Sequence, residues 1–234
     1  MSARIGIIAA LPGELRPLVK GWERLQIGRH HYRTERYGAE YVAVACGAGA
    51  QRATLAVEAA SAEGPLTALL SIGWAGGLSC GVQPGVAYAV TEIIDPRTGE
   101  RYATGTVTNT PIRLVTADHV VLGAEKRRLA ESYGASLVDM EAATVARMAQ
   151  MRGIAFGCVK VISDRATDEM PDFNRLLGRD GQLSLRRLVP YLLVRPKHWP
   201  TMVRLGRNSA LGSRVLAQAV SEMMEQGVHG HSNL

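Results

Sequence analysis

Short, continuous apolar runs alternate with polar or helix-period stretches along most of this chain. Arg4–Ala10, Glu40–Cys46, Thr67–Ile72, Val86–Ile94, Arg113–Thr116, Leu137–Met140 and Ala155–Ile162 read as strands. Runs this apolar suit strands covered on both faces of a sheet. His31–Tyr37 precedes Glu40–Cys46 across a "YGAE" turn, so these two predict an antiparallel pair. Helices are predicted in "LPGELRPLV", after the glycine turn of "GAGAQRATLAVEAASAEG", over Ala124–Tyr133 and over Glu141–Arg152. The segment "DPRTGERYATGTVTNTP" reads as a polar surface excursion. Beyond Asp164 the pattern turns helical, at Leu183–Val194 and Met202–Met224. The expectation is an α/β fold: a mixed central sheet flanked by helices, in one domain over residues 1–234, with a helical C-terminal extension.

Length agrees with that reading, since 234 residues suit one large α/β domain. Cys46, Cys80 and Cys158 stand singly, without CxxC or Cys/His spacing, which fits reduced core thiols and a cytoplasmic protein. "MSARIGIIAALPGEL" reads as a first strand rather than a targeting segment, and no apolar run reaches membrane-spanning length. Charge adds a local feature. The net charge is +6, and between Arg175 and Arg214 nine Arg/Lys accompany one acid, Asp180. The preferred reading of this basic part, within an atypical 175–234 region, is a helical layer with solvated arginines. Nucleic acid is not an expected partner, because stacking aromatics are few and no binding motif is present. A further reading is peripheral contact with an anionic membrane, through Leu188–Val194, Trp199 and the charges of Arg186, Arg187, Arg195, Lys197, Arg204 and Arg207.

The candidate chemistry lies at strand ends. "GAGAQRA" lacks the third glycine of a dinucleotide fingerprint and no acid closes a second strand, so a nicotinamide or flavin is rejected. "GWAGGL" is a glycine-rich strand end that suits either a tight turn or a close approach to ribose or an anion. Glu14, Glu141 and Asp164 each follow a predicted strand. Singly, each reads as a first-turn or capping carboxylate of a helix. Together, at the carboxyl rim of a sheet, they suggest acid/base work on a substrate that becomes cationic in the transition state. The histidines share no spacing, and no HExxH, GxSxG or Walker loop is present.

The ordered set "IGIIAALPGEL", "GWAGGL", "LVDMEAATVA" and "VISD" resembles the nucleoside phosphorylase superfamily, and most of all its methylthioadenosine/S-adenosylhomocysteine nucleosidase branch. The likeness covers roughly residues 4 to 177, and the chain is also similar to hopanoid-associated members that act on a lipid-linked adenine nucleoside. The resemblance implies that Glu14 activates water, that Asp164 protonates the purine leaving group, and that Glu141 holds the ribose hydroxyls with Met140 packed on the sugar. It further implies substrate contacts at Ala10, Gly76, Gly77, Val121 and Ser163. It implies hydrolytic release of adenine from a 5′-modified nucleoside, with no metal or organic cofactor, in a homodimer whose partner closes the 5′ end. Phosphorolysis is the alternative, with inorganic phosphate as co-substrate and Arg16 and Arg52 as its candidate anion contacts. A catalytically idle nucleoside-binding protein is another. Trp74 departs from the family, standing where a Ser or Thr is usual, and Val120 replaces the stacking phenylalanine. Burial against Ala155–Ile162 is expected to favour the protonated form of Asp164.

Overall fold

The computed structural model describes residues 3–26, 30–106, 109–168 and 199–229, with side chains in the last segment at Trp199 and over 206–226. Strand β1 (Ala3–Ala9) lies between β4 (Ala39–Ala45) and β5 (Ala68–Gly77), parallel to both. β11 (Ala155–Asp164) runs parallel to β5 on its other edge, paired with it from Ala68 to Gly76. Ile7 and Ile8 of β1 are adjacent in sequence and both buried. Neighbouring residues of a strand point to opposite faces, so both faces of the sheet are covered. On one face Ile7, Leu70 and Val161 pack with Leu216 and Val220 of α5 (Trp199–His229) and with Leu15 of α1 (Pro12–Leu15). On the other, Ile8 and Leu69 meet Ala56 and Val57 of α2 (Ala50–Ser61) and Val145 of α4 (Ala142–Arg152).

The sheet is mixed, as its pattern predicts. β3 (His30–Arg36) is antiparallel to β4, and the edge strand β2 (Glu23–Arg24) to β3. Beyond β5 the order continues through β10 (Leu137–Asp139), β9 (Arg113–Thr116), β7 (Glu92–Ile94) and β8 (Arg101–Ala103). α3 (Ala124–Tyr133) enters β10 through Gly134, which is left-handed.

Three expectations are revised. The "GWAGG" segment is not a turn: β5 continues through it to Gly77. Val86–Ile94 divides into β6 (Ala87–Ala89), which pairs with β11, and β7. The polar excursion contains β8, which forms a hairpin with β7. β10 is antiparallel to β5, pairing Leu137 with Gly77 and Val138 with Gly76. Its end therefore advances toward the ends of β1 and β4 from the opposite direction. The predicted helix Met202–Met224 lies within α5. The predicted helix Leu183–Val194 and most of the basic stretch lie outside the described residues.

Candidate active site

A cavity of about 250 Å³ opens where the ends of β1, β5, β10 and β11 meet. Its wall is mostly apolar, with Leu11, Ala48, Trp74, Val121, Val138 and Met140 among its residues, and Glu14, Glu141 and Asp164 all line it. Each of these carboxylates is nearly inaccessible to solvent.

Glu14 is placed by the turn that ends β1. It is the third residue of α1, and its carboxylate reaches back to the turn: Oε2 accepts the N–H groups of Ala10 (2.9 Å) and Leu11 (2.7 Å). Oε1 accepts the N–H of Trp74 at 2.8 Å. A carboxylate offers about four acceptor positions. Oε2 is therefore filled, and Oε1 has room for one more donor. Burial raises the Glu14 pKa, opposed by the N–H groups of Leu11 and Trp74, the charge of Lys160 and the N–H of Ala10. The close approach of this carboxylate to β5 requires a glycine. A Cβ on Gly73, whose φ is +144°, would lie 2.6 Å from Glu14 Oε1.

Glu141 stands at the N-cap of α4. Its Oε1 accepts the N–H of Gly49 at 2.7 Å, from the glycine turn between β4 and α2. Its pKa is pushed up to about 7, by burial first and then by the neighbouring charge of Asp139, against the attraction of Lys160. Beneath the cavity floor Lys160 is 1% exposed, and its Nζ pairs with Asp139 Oδ2 at 2.8 Å. Nζ also donates to Ser71 Oγ at 3.2 Å. Asp139 is further held by the Thr116 hydroxyl (2.8 Å) and by the N–H of Ala142 (3.0 Å). The Lys160 pKa is raised: burial opposes its charge, but Asp139 and its other anionic neighbours outweigh burial. This cation lies under both Glu14 and Glu141 and acts on the titration of each.

Asp164 ends β11 after a bulge between Ile162 and Asp164. An extra residue in a strand re-aims its neighbours, and here Ser163 and Asp164 both line the cavity. Ser163 Oγ donates to Asp164 Oδ1 at 2.5 Å. Apolar burial was expected around this carboxylate. Instead the buried ammonium of Lys126 contacts Oδ2 directly and also donates to the Arg165 carbonyl at 2.9 Å.

Of the residues singled out in the sequence, Ala10, Glu14, Gly76, Val121, Met140, Glu141, Ser163 and Asp164 line the cavity. Gly77 does not. It sits behind Asp164, where a Cβ would come 3.0 Å from the Asp164 carbonyl oxygen. Arg16 and Arg52 are also not on the wall. Trp74 is. Its ring approaches Gly13 of α1 and Gly212 of α5, and Ser209 of α5 completes that side. Lys126, Asp139, Lys160, His119 and Gly49 were missed. Lys160 had a readable signal, because a lysine between Val159 and Val161 in a buried strand must find an anion. Lys126, beside two exposed arginines on α3, had none. Among the described residues no group of three or more His, Cys, Asp or Glu side chains could hold a metal ion.

The sequence profile of the phosphorylase superfamily matches residues 4–121 and 97–186. The chain belongs to the phosphorylase superfamily. No curated protein matches it in sequence. Among solved structures it is similar to the 5′-methylthioadenosine/S-adenosylhomocysteine nucleosidase of Helicobacter pylori with butyl-thio-DADMe-Immucillin-A, at a TM-score of 0.73 and 15% identity, covering 97% of this chain and 99% of that one. The futalosine hydrolase of Helicobacter pylori gives the same TM-score, identity and coverage. A nucleosidase of Chlamydia trachomatis gives a TM-score of 0.67 at 16% identity, covering 96% of this chain and 98% of that one. At these identities the likeness is one of fold.

Proposed function

We propose that this chain hydrolyses the N-glycosidic bond of a purine nucleoside, adenine by preference, with an apolar substituent at the 5′ position. The observation that carries the reading is the convergence of three buried carboxylates on one otherwise apolar cavity. The nucleosidase and hydrolase activities named for the similar structures support the substrate class.

Stretching a ribosyl C–N bond builds positive charge on the sugar and negative charge on the base. Asp164 and its partners serve the base, delivering a proton to a ring nitrogen. The Glu141 carboxylate grips the ribose hydroxyls and favours the cation. Water on Glu14 Oε1 attacks the sugar carbon, and Glu14 takes its proton. Leu11, Trp74 and Met140 supply apolar surface for the sugar and its 5′ group. This chemistry calls for no metal or organic cofactor.

Water is favoured over phosphate by the charge inventory. Among the described residues, the cations on the cavity wall are Lys126, committed to Asp164, and His119 when protonated. Trp74 occupies the place where the family's hydroxyl would help an anion. The test is a panel of 5′-modified and unmodified purine nucleosides, assayed for free base with wild type and Asp164→Asn. The variant should lose roughly 10²–10⁴-fold in kcat while nucleoside binding changes by less than about fivefold, since protonation matters in the transition state. An Asp164→Asn enzyme as fast as wild type would reject the assignment.

A further inference from the structure

An aspartate acting as an acid must present a proton, and Asp164 stands in direct contact with a buried ammonium. Lys126 reaches it from the first turn of α3, is 2% exposed, and lines the cavity. The arrangement differs from the other buried lysine. Lys160 is shut beneath the floor, between Asp139 and Ser71, and does not line the cavity. Lys126 stands at the wall itself. Its ammonium has three N–H donors, of which two are used, toward Asp164 Oδ2 and the Arg165 carbonyl. The two groups form a buried ion pair. A lone carboxylic acid therefore does not describe this site.

We propose that Lys126 supplies the leaving-group proton, acting through Asp164, so that the working acid is the Lys126–Asp164 pair. This rests on the hydrolytic reading above. Before cleavage the pair holds ammonium and carboxylate. As the C–N bond breaks, its electron pair passes to the purine. A proton moves from Lys126 Nζ to Asp164 and from Asp164 to a ring nitrogen. The base leaves neutral, Lys126 is left as the amine and Asp164 as the carboxylate. Water adds to the sugar cation and its proton goes to Glu14. One proton passing through solvent from Glu14 to Lys126 restores the starting state, so charge balances at each turnover. The bond from Lys126 to the Arg165 carbonyl fixes the lysine against the backbone just past the acid, which makes Lys126 a positioning residue as well as a source.

Proton supply can be told apart from a structural role because some leaving groups need no proton. 5′-Methylthioadenosine requires protonation of its base, whereas p-nitrophenyl β-D-ribofuranoside leaves as a stable phenolate. Wild type, Lys126→Met and Lys126→Arg are assayed on both, with kcat and KM measured for each. Lys126→Met should lower kcat for the nucleoside by roughly 10²-fold or more. It should change the ratio of nucleoside to phenolate rates by at least about 30-fold. Lys126→Arg keeps the positive charge but does not surrender its proton, so it should keep the nucleoside KM and still lose kcat. Equal losses on both substrates, or an Arg variant as fast as wild type, would overturn the proposal and leave Lys126 a structural counter-ion. A wild type that cleaves no nucleoside would instead overturn the hydrolytic reading. Should Lys126→Met fail to fold, the Arg variant decides the question by its kcat and KM on the two substrates.

Discussion

The three acids were legible in the sequence because each follows an apolar strand, where packing gives a carboxylate no reason to be. Their electrostatic setting was not. Burial, and then the charge of Asp139, push the Glu141 pKa up to about 7. That value gives a signed prediction. Between pH 4.5 and about 7 the folded chain keeps a proton on Glu141 that the unfolded chain has released. The native state binds more protons there, so this group's contribution to stability falls as pH rises across that window. Denaturant unfolding at pH 5 and pH 7.5 should show wild type losing up to roughly 3 kcal/mol relative to Glu141→Gln over that interval. The glutamine retains an acceptor for the Gly49 N–H and does not titrate. Identical pH dependence in the two proteins would show that Glu141 titrates normally. Ribose binding runs the other way, since the gripping carboxylate becomes more populated as pH rises through about 7.

At the scale of elements, strand positions were largely readable, because apolar runs bounded by glycine or polar residues need little else to be recognised. The exception is instructive. Glycines at the end of β5 read equally as a tight turn or as a close approach to a ligand, since a sequence does not show what lies against them. In the structure they are strand residues stripped of side chains so that other groups can approach: Gly73 for the Glu14 carboxylate and Gly77 for the Asp164 backbone. Gly73→Ala is therefore expected to cost roughly 1–3 kcal/mol in thermal or denaturant unfolding, and to lower kcat in the folded fraction by displacing Glu14. Gly38 is the control. It also has positive φ, +71°, but nothing lies within 4 Å of an added Cβ. Gly38→Ala should lose only about 1 kcal/mol, with activity intact. Equal activity losses in the two variants would argue that backbone strain, not the Glu14 contact, explains Gly73. The direction of β10 was equally invisible, because a three-residue strand carries no signal of its partner's polarity.

At the scale of the whole molecule, a sheet covered on both faces leaves the strand ends as the place for chemistry. Here two sets of ends face each other across the cavity: β1 with β4 from one side, β10 from the other. α3 and α5 are brought to its wall by packing that no local pattern in the sequence encodes. No helix among the described residues is long and apolar enough to cross a membrane. The central claim is that water, not phosphate, takes the sugar. The most direct measurement is the product formed from 5′-methylthioadenosine by wild-type protein, with and without inorganic phosphate. Free adenine and a reducing 5-methylthioribose should appear at the same rate in phosphate-free buffer. A reaction that stops without phosphate and yields the sugar 1-phosphate when it is supplied would contradict the account.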